Sequence, residues 1–176
     1  MSHGNRHPVE VFPIPMEEQD KQQAVRRMQI ICMGLMMGSI TVGAVLIFLS
    51  MGNKEFITDP MDFNFLLPVV FISAELMAFV VAPANIVKQN MNRMVGEDTD
   101  TQESKLWALY QTVMIVKYAL PEGAIFFCLV LFFQSGNVLT LFLVPLLLFV
   151  QFSMFPTRFK IDNWVEDKLR QLEMRG

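Results

Sequence analysis

Charge is scarce in this chain. Asp, Glu, Lys and Arg make up 18% of its 176 residues, against roughly 25% in an ordinary soluble domain. Cysteine is scarcer still. Cys32 and Cys128 each fall inside an apolar run, one in the inner half of the expected bundle and the other in the outer half. They are not expected to meet, and they read as small apolar filler without redox chemistry. Catalytic punctuation is missing as well: there is no phosphate loop, no zinc-ligand spacing and no nucleophile motif. His3 and His7 sit in a polar tail and make a poor metal site. The polar stretches are too short for a soluble enzyme domain. No enzymatic activity is expected, and no metal, cofactor or nucleic-acid partner.

What the chain has is hydrophobicity, at 53% of residues, gathered in four blocks. These are Met28–Leu49, Phe65–Ala84, Thr112–Phe133 and Val138–Phe155, each near the ~20 residues a helix needs to cross about 30 Å of hydrocarbon. The expected fold is an all-α membrane protein with four transmembrane helices and a C-terminal amphipathic helix. Residues 1–27 form a polar tail and juxtamembrane helix, 28–155 the transmembrane bundle, and 156–176 the amphipathic helix. The polar residues ahead of the first block argue against a cleaved signal peptide.

Orientation follows the placement of bases. Of the fourteen Lys and Arg, twelve fall in the N-terminal tail, in the segment between the second and third blocks, or in the C-terminal tail. Lys54 is the one base on the other side, and Lys117 lies within a helix. Both termini are therefore expected on the cytoplasmic side of a bacterial inner (cell) membrane.

Pro8, Pro13 and Pro15 predict an irregular lead-in. A helix should follow, with Glu17, Glu18 and Asp20 in its first turn, where the helix dipole favours acids. Asn85–Leu106, rich in both signs of charge, reads as a solvated linker. Beyond Pro156, Ile161, Trp164, Val165, Leu169 and Leu172 recur at helical spacing. This segment would lie on the membrane surface or pack under the bundle. Its acids nearly cancel its bases, so it is not expected to select strongly for anionic lipid. Met28, Met33, Met36 and Met37 read as packing filler.

An offset of 85 residues pairs Ile30 with Ile115, Leu35 with Leu120, Gly38 with Gly123, and Val45 with Val130. It also pairs Gly34-x-x-x-Gly38 with Ala119-x-x-x-Gly123. An offset of 77 pairs Leu67-Pro68 with Val144-Pro145. Two duplicated hairpins would explain both offsets. Gly34, Gly38, Ala119 and Gly123 are candidate helix-packing positions, because small residues let backbones approach closely in lipid.

Ionisable groups inside a membrane helix cost about 2.5–3.5 kcal/mol at the centre on insertion scales. Glu75 and Glu122 each lie about ten residues from the inner ends of oppositely directed helices, near 15 Å depth at 1.5 Å per residue. On neighbouring helices the two carboxyls would face each other. Gln111, Tyr118 and Glu122 make a polar stripe on the third helix, beside Pro121, which removes a backbone donor. Such a group is suited to a cation or proton site. Alternatively, the carboxyls stay neutral and hydrogen-bond each other or Gln151, tying helices together. Lys117 should snorkel toward the inner surface. A pair with Glu122 is disfavoured, because five residues separate them by about 140°.

Gln111-Thr112, Leu120-Pro121-Glu122-Gly123-Ala124-Ile125-Phe126-Phe127 and Phe155-Pro156-Thr157 resemble motifs of small bacterial four-helix membrane proteins of uncharacterised function. That resemblance implies the fold but no activity. More distantly, Gly34, Gly38, Ala119, Gly123 and Glu75 resemble the duplicated four-helix ring subunit of rotary ATPases. In that family small residues line the first and third helices, and a carboxylate sits midway along the second or fourth. The chain departs from it in its inward termini, in its short outer loops with a single base, and in Glu122 on the third helix. The reading that results is a non-catalytic structural or assembly subunit, associated with the lipid bilayer and with itself or another membrane protein. The alternative is a proton- or cation-coupled transport component using Glu75 and Glu122.

Overall fold

The computed structural model describes residues 18–51 and 56–175. The expectations for the proline-rich lead-in, Arg6, Glu17, His3, His7 and Lys54 lie outside these residues. Among the described residues the chain is helical, with no strand: α1 (Glu18–Ser50), α2 (Phe63–Met94), α3 (Thr99–Ser135), α4 (Leu139–Ser153) and α5 (Arg158–Glu173). Three of these, α1, α2 and α3, are long and apolar enough to cross a membrane. The fourth expected span is shorter than 138–155. Its helix stops at Ser153, and the chain bends by 66° into α5. Pro156, which can donate no backbone bond, stands at the corner. At 15 residues, α4 is about 22 Å long.

The largest departure from the sequence reading is at Asn85–Leu106. α2 runs on to Met94, and α3 begins at Thr99. The segment is helical because its charges share it with an apolar face. Met91, Met94 and Leu106 are buried, with Ile86 and Val87 packed alongside. Only a tight turn separates the helices. Gly96 takes a left-handed φ of 86°, open to glycine without a steric penalty. Asp98 caps α3 by accepting from the Thr101 amide, as an N-cap carboxylate does. The Gln102 amide closes the turn by donating to the carbonyls of Met94 and Glu97, each at 3.0 Å.

α3 is the hub, packing against each of the other four helices. In their most apolar stretches 44% of α3 is buried but only 17% of α1 and 6% of α2. α1 and α2 therefore lean on α3 and make little contact with each other. This does not match a pair of equivalent hairpins, in which α1 and α2 would pack as closely as α3 and α4.

At the basic end of the bundle, α5 lies under the helices. Ile161, Val165 and Leu172 join a core with Leu106, Trp107, Tyr110 and Met114, and Trp164 meets Tyr110 edge-on at 5.3 Å between centroids. Of the two placements expected for this segment, the structure has the one packed on the bundle. Glu103 pairs with Lys21 of α1, and Arg158 pairs with Glu18. The Gln29 amide donates to the Pro156 carbonyl at 3.0 Å. Met28, Met91, Met94 and Met114 are core residues, whereas Met33 and Met37 are exposed and fill nothing within the chain.

Candidate functional site

The mid-length polar groups are positioned by three different helices. Counting along α2 and α3 puts Glu75 and Glu122 at the same level, and the structure agrees. A Cβ built on Gly123 of α3 would lie 3.2 Å from Glu75 Oε1, and one on Gly38 of α1 would lie 3.9 Å from Glu122 Oε1. A side chain at position 123 would crowd the Glu75 carboxyl, whereas one at position 38 would meet Glu122 at ordinary contact distance. Glu75 lies at the Ala124 backbone of α3. Glu122 lies beside Ser39 on α1, whose hydroxyl donates within its own helix to the Leu35 carbonyl at 3.5 Å.

The two carboxyls therefore do not face each other as expected. Residues 122 and 123 are successive on α3 and point about 100° apart. Glu122 is turned to α1, while the position beside it receives Glu75 from α2. α3 is held from two sides at one level. Glu75 Oε2 is buried without a hydrogen-bond partner. Glu75 also lines a cavity of about 30 Å³ with Ile72, Pro121, Leu147 and Val150, room for about one water.

Gln151 is not a partner of either glutamate. The Tyr118 hydroxyl donates to the Gln151 carbonyl at 2.9 Å, and the Gln151 amide donates to the Tyr118 carbonyl at 3.1 Å. This reciprocal pair is fully buried and joins α3 to α4. Cys32 of α1 comes within hydrogen-bonding reach of the same hydroxyl. Gln111, the far member of the expected stripe, lies apart. It lines a groove with Asp20, Arg27 and Met28 at the basic end. Cys32 and Cys128 are both buried and free.

Of the four expected packing positions, Gly38 and Gly123 face glutamates of neighbouring helices. Gly34 has nothing within 4 Å of a built Cβ, and Ala119 is exposed, so neither packs within this chain. Lys117 lies over the Phe79 ring at 5.8 Å. Among the described residues no three His, Cys, Asp or Glu side chains form a metal-binding group.

Sequence reasoning missed Asn137 at the opposite end. It is fully buried, and its amide donates to the Asp59 carbonyl at 3.0 Å and to Asp62 Oδ2 at 3.2 Å. Asp62 in turn caps α2 by accepting from the Asn64 amide. Backbone bonds from Ile57 to Gly136 (3.1 Å) and from Val138 to Ile57 (3.0 Å) complete the clasp. The only signal in the sequence is a polar residue after Gly136, in a turn between apolar runs.

These features define an all-helical bundle with three membrane-length apolar helices and paired carboxyl–glycine contacts across its middle. Compared with protein-family models, curated proteins and solved structures, the chain matches none.

Proposed function

We propose that this chain is a multi-pass protein of a bacterial inner (cell) membrane, with four spans and both termini cytoplasmic. Its role is that of a non-catalytic structural or assembly subunit. The observation that carries the reading is the docking of Glu75 and Glu122 onto glycine positions of different neighbouring helices. In a medium where packing and polar contacts replace the hydrophobic effect, such contacts hold helices together. The membrane part rests on the basic residues gathered at one end and on the long exposed apolar faces of α1 and α2. In water, faces of that extent are a liability. Gly34 and Ala119, open on the outside of the bundle, suit close approach by a helix of a second copy or of another membrane protein.

One observation favours the proton- or cation-coupled alternative. Glu75 Oε2 is buried without a partner beside the small cavity. Proton movement into vesicles carrying the parent or Glu75→Gln separates the two readings. Equal permeability, with both proteins extracted in the same complexes, is expected of a structural role. Proton uptake by the parent that Glu75→Gln abolishes would replace that role with transport.

A further inference from the structure

The basic end of the bundle carries a groove of about 480 Å³ between α2, α3 and α5. Phe79, Pro83 and Val87 of α2 make an apolar wall, with Val113 of α3 opposite. Lys88 of α2, Lys117 of α3, Lys168 of α5 and Arg175 just beyond α5 also line it, and no Asp or Glu does. These bases lie far apart in sequence and are gathered only by the fold.

Their partners leave the charge largely in place. Lys168 shares its charge with the exposed Asp167 at 3.2 Å and also donates to Gln171 at 3.1 Å. Arg175 donates to the neutral Asn92 side chain at 3.2 Å. Lys117 has the Phe79 ring. Of the other acids of α5, Asp162 pairs with Arg158 and Glu166 with Arg170, and Glu173 does not line the groove. The balance of charge along α5 therefore does not describe the groove, which draws bases from three helices.

We propose that this groove binds one anionic phospholipid. The acyl chain lies along Val87 and Pro83 toward Phe79, and the phosphate lies among Lys88, Lys168 and Arg175, with Lys117 at the Phe79 end of the groove. The shape suits an amphiphile, with apolar residues along α2 and bases from three elements of the fold. Each base near an anionic membrane surface adds to the attraction for such a lipid. Trp164, which also lines the groove, then sits at headgroup depth, where indole rings concentrate. The proposal rests on the membrane reading above.

The test uses the full chain in neutral detergent and the fluorescence of Trp164. The probes are phosphatidylglycerol and phosphatidylcholine, each brominated near the headgroup end of the acyl chain, and inorganic phosphate. A Trp164→Phe variant supplies the background from Trp107. Brominated phosphatidylglycerol should quench with about tenfold higher apparent affinity than phosphatidylcholine. The preference should fall to about twofold or less in Lys88→Gln/Lys168→Gln and persist in Arg26→Gln, which changes an exposed base outside the groove. Equal quenching by the two lipids, or a preference that survives the double substitution, overturns the proposal. Competition by millimolar inorganic phosphate as strong as that by unbrominated phosphatidylglycerol would assign the site to a soluble phosphate instead. Vesicle integration read in parallel separates the levels: a chain that integrates without lipid preference loses only the groove. A chain released from vesicles by alkaline carbonate loses the membrane reading and the groove together.

Discussion

Two single side chains show how a polar group in this molecule is made affordable by its position. The buried Asn137 side chain donates to Asp59 and Asp62, so truncating it removes two part-buried hydrogen bonds. Asn137→Ala should cost about 1–3 kcal/mol, measured as a lower thermal midpoint. An unchanged midpoint would mean the clasp is incidental. Asp62 adds a pH dependence. The Asn64 backbone amide, then the Asn137 side chain, holds its carboxyl below the ordinary carboxylate range. A carboxyl depressed by folding contributes stability above its unfolded pKa, about 3.9 for Asp. That contribution is lost as pH falls through the lower folded value. The acid-side decline in stability should therefore be shallower in Asp62→Asn, and an identical decline would show that Asp62 takes no part. The glycines make a second comparison. A Cβ on Gly123 would press Glu75 at 3.2 Å, whereas one on Gly34 meets nothing. Gly123→Leu should lower the thermal midpoint of the monomer while Gly34→Leu leaves it unchanged. Equal behaviour would remove Gly123 from the packed interface.

At the scale of elements, the long apolar helices were legible because a run of about twenty apolar residues is read directly as a count. The level of the two glutamates was legible for the same reason, since residues per helix convert to depth. Which way each helix is rotated was not. Glu122 meets α1 and Glu75 meets α3 because of the azimuth at which α1 and α2 lean on their hub, and no single helix carries that information. The α2–α3 connection was misread because charge density outweighed a sparse apolar face at Ile86, Val87, Met91 and Met94. The amphipathic period of α5 was clear, but its choice of protein over lipid surface depended on Trp107 and Tyr110 being there to receive it. Ile161 is fully buried in that contact. Ile161→Ala should destabilise the protein by about 2–5 kcal/mol and admit aqueous quencher to Trp164. Undiminished shielding would mean α5 is held by something other than α3.

In the whole molecule one central helix, α3, holds the others at the basic end, at the middle and at the far clasp. Reporter fusions after Gly176 and at the Gly96 turn should read cytoplasmic, and one near Asp59 external. An external C-terminus would reverse the proposed orientation and strengthen the rotary-ring likeness. The middle contacts discriminate most sharply between roles, because polar groups retained for transport and polar groups retained for packing have opposite effects on stability. A carboxyl kept only for transport is a burden on folding, so an apolar replacement would stabilise the bundle. A carboxyl that packs α3 against α1 beside Gly38 and Ser39 supports folding, and glutamine, which has the same shape and keeps a donor and an acceptor, can stand in for it. The most direct measurement is the thermal unfolding of the purified protein as parent, Glu122→Gln and Glu122→Leu. The glutamine variant should be close to the parent and the leucine variant weaker by about 1–3 kcal/mol. A leucine variant as stable as the parent, or more so, would contradict the packing role.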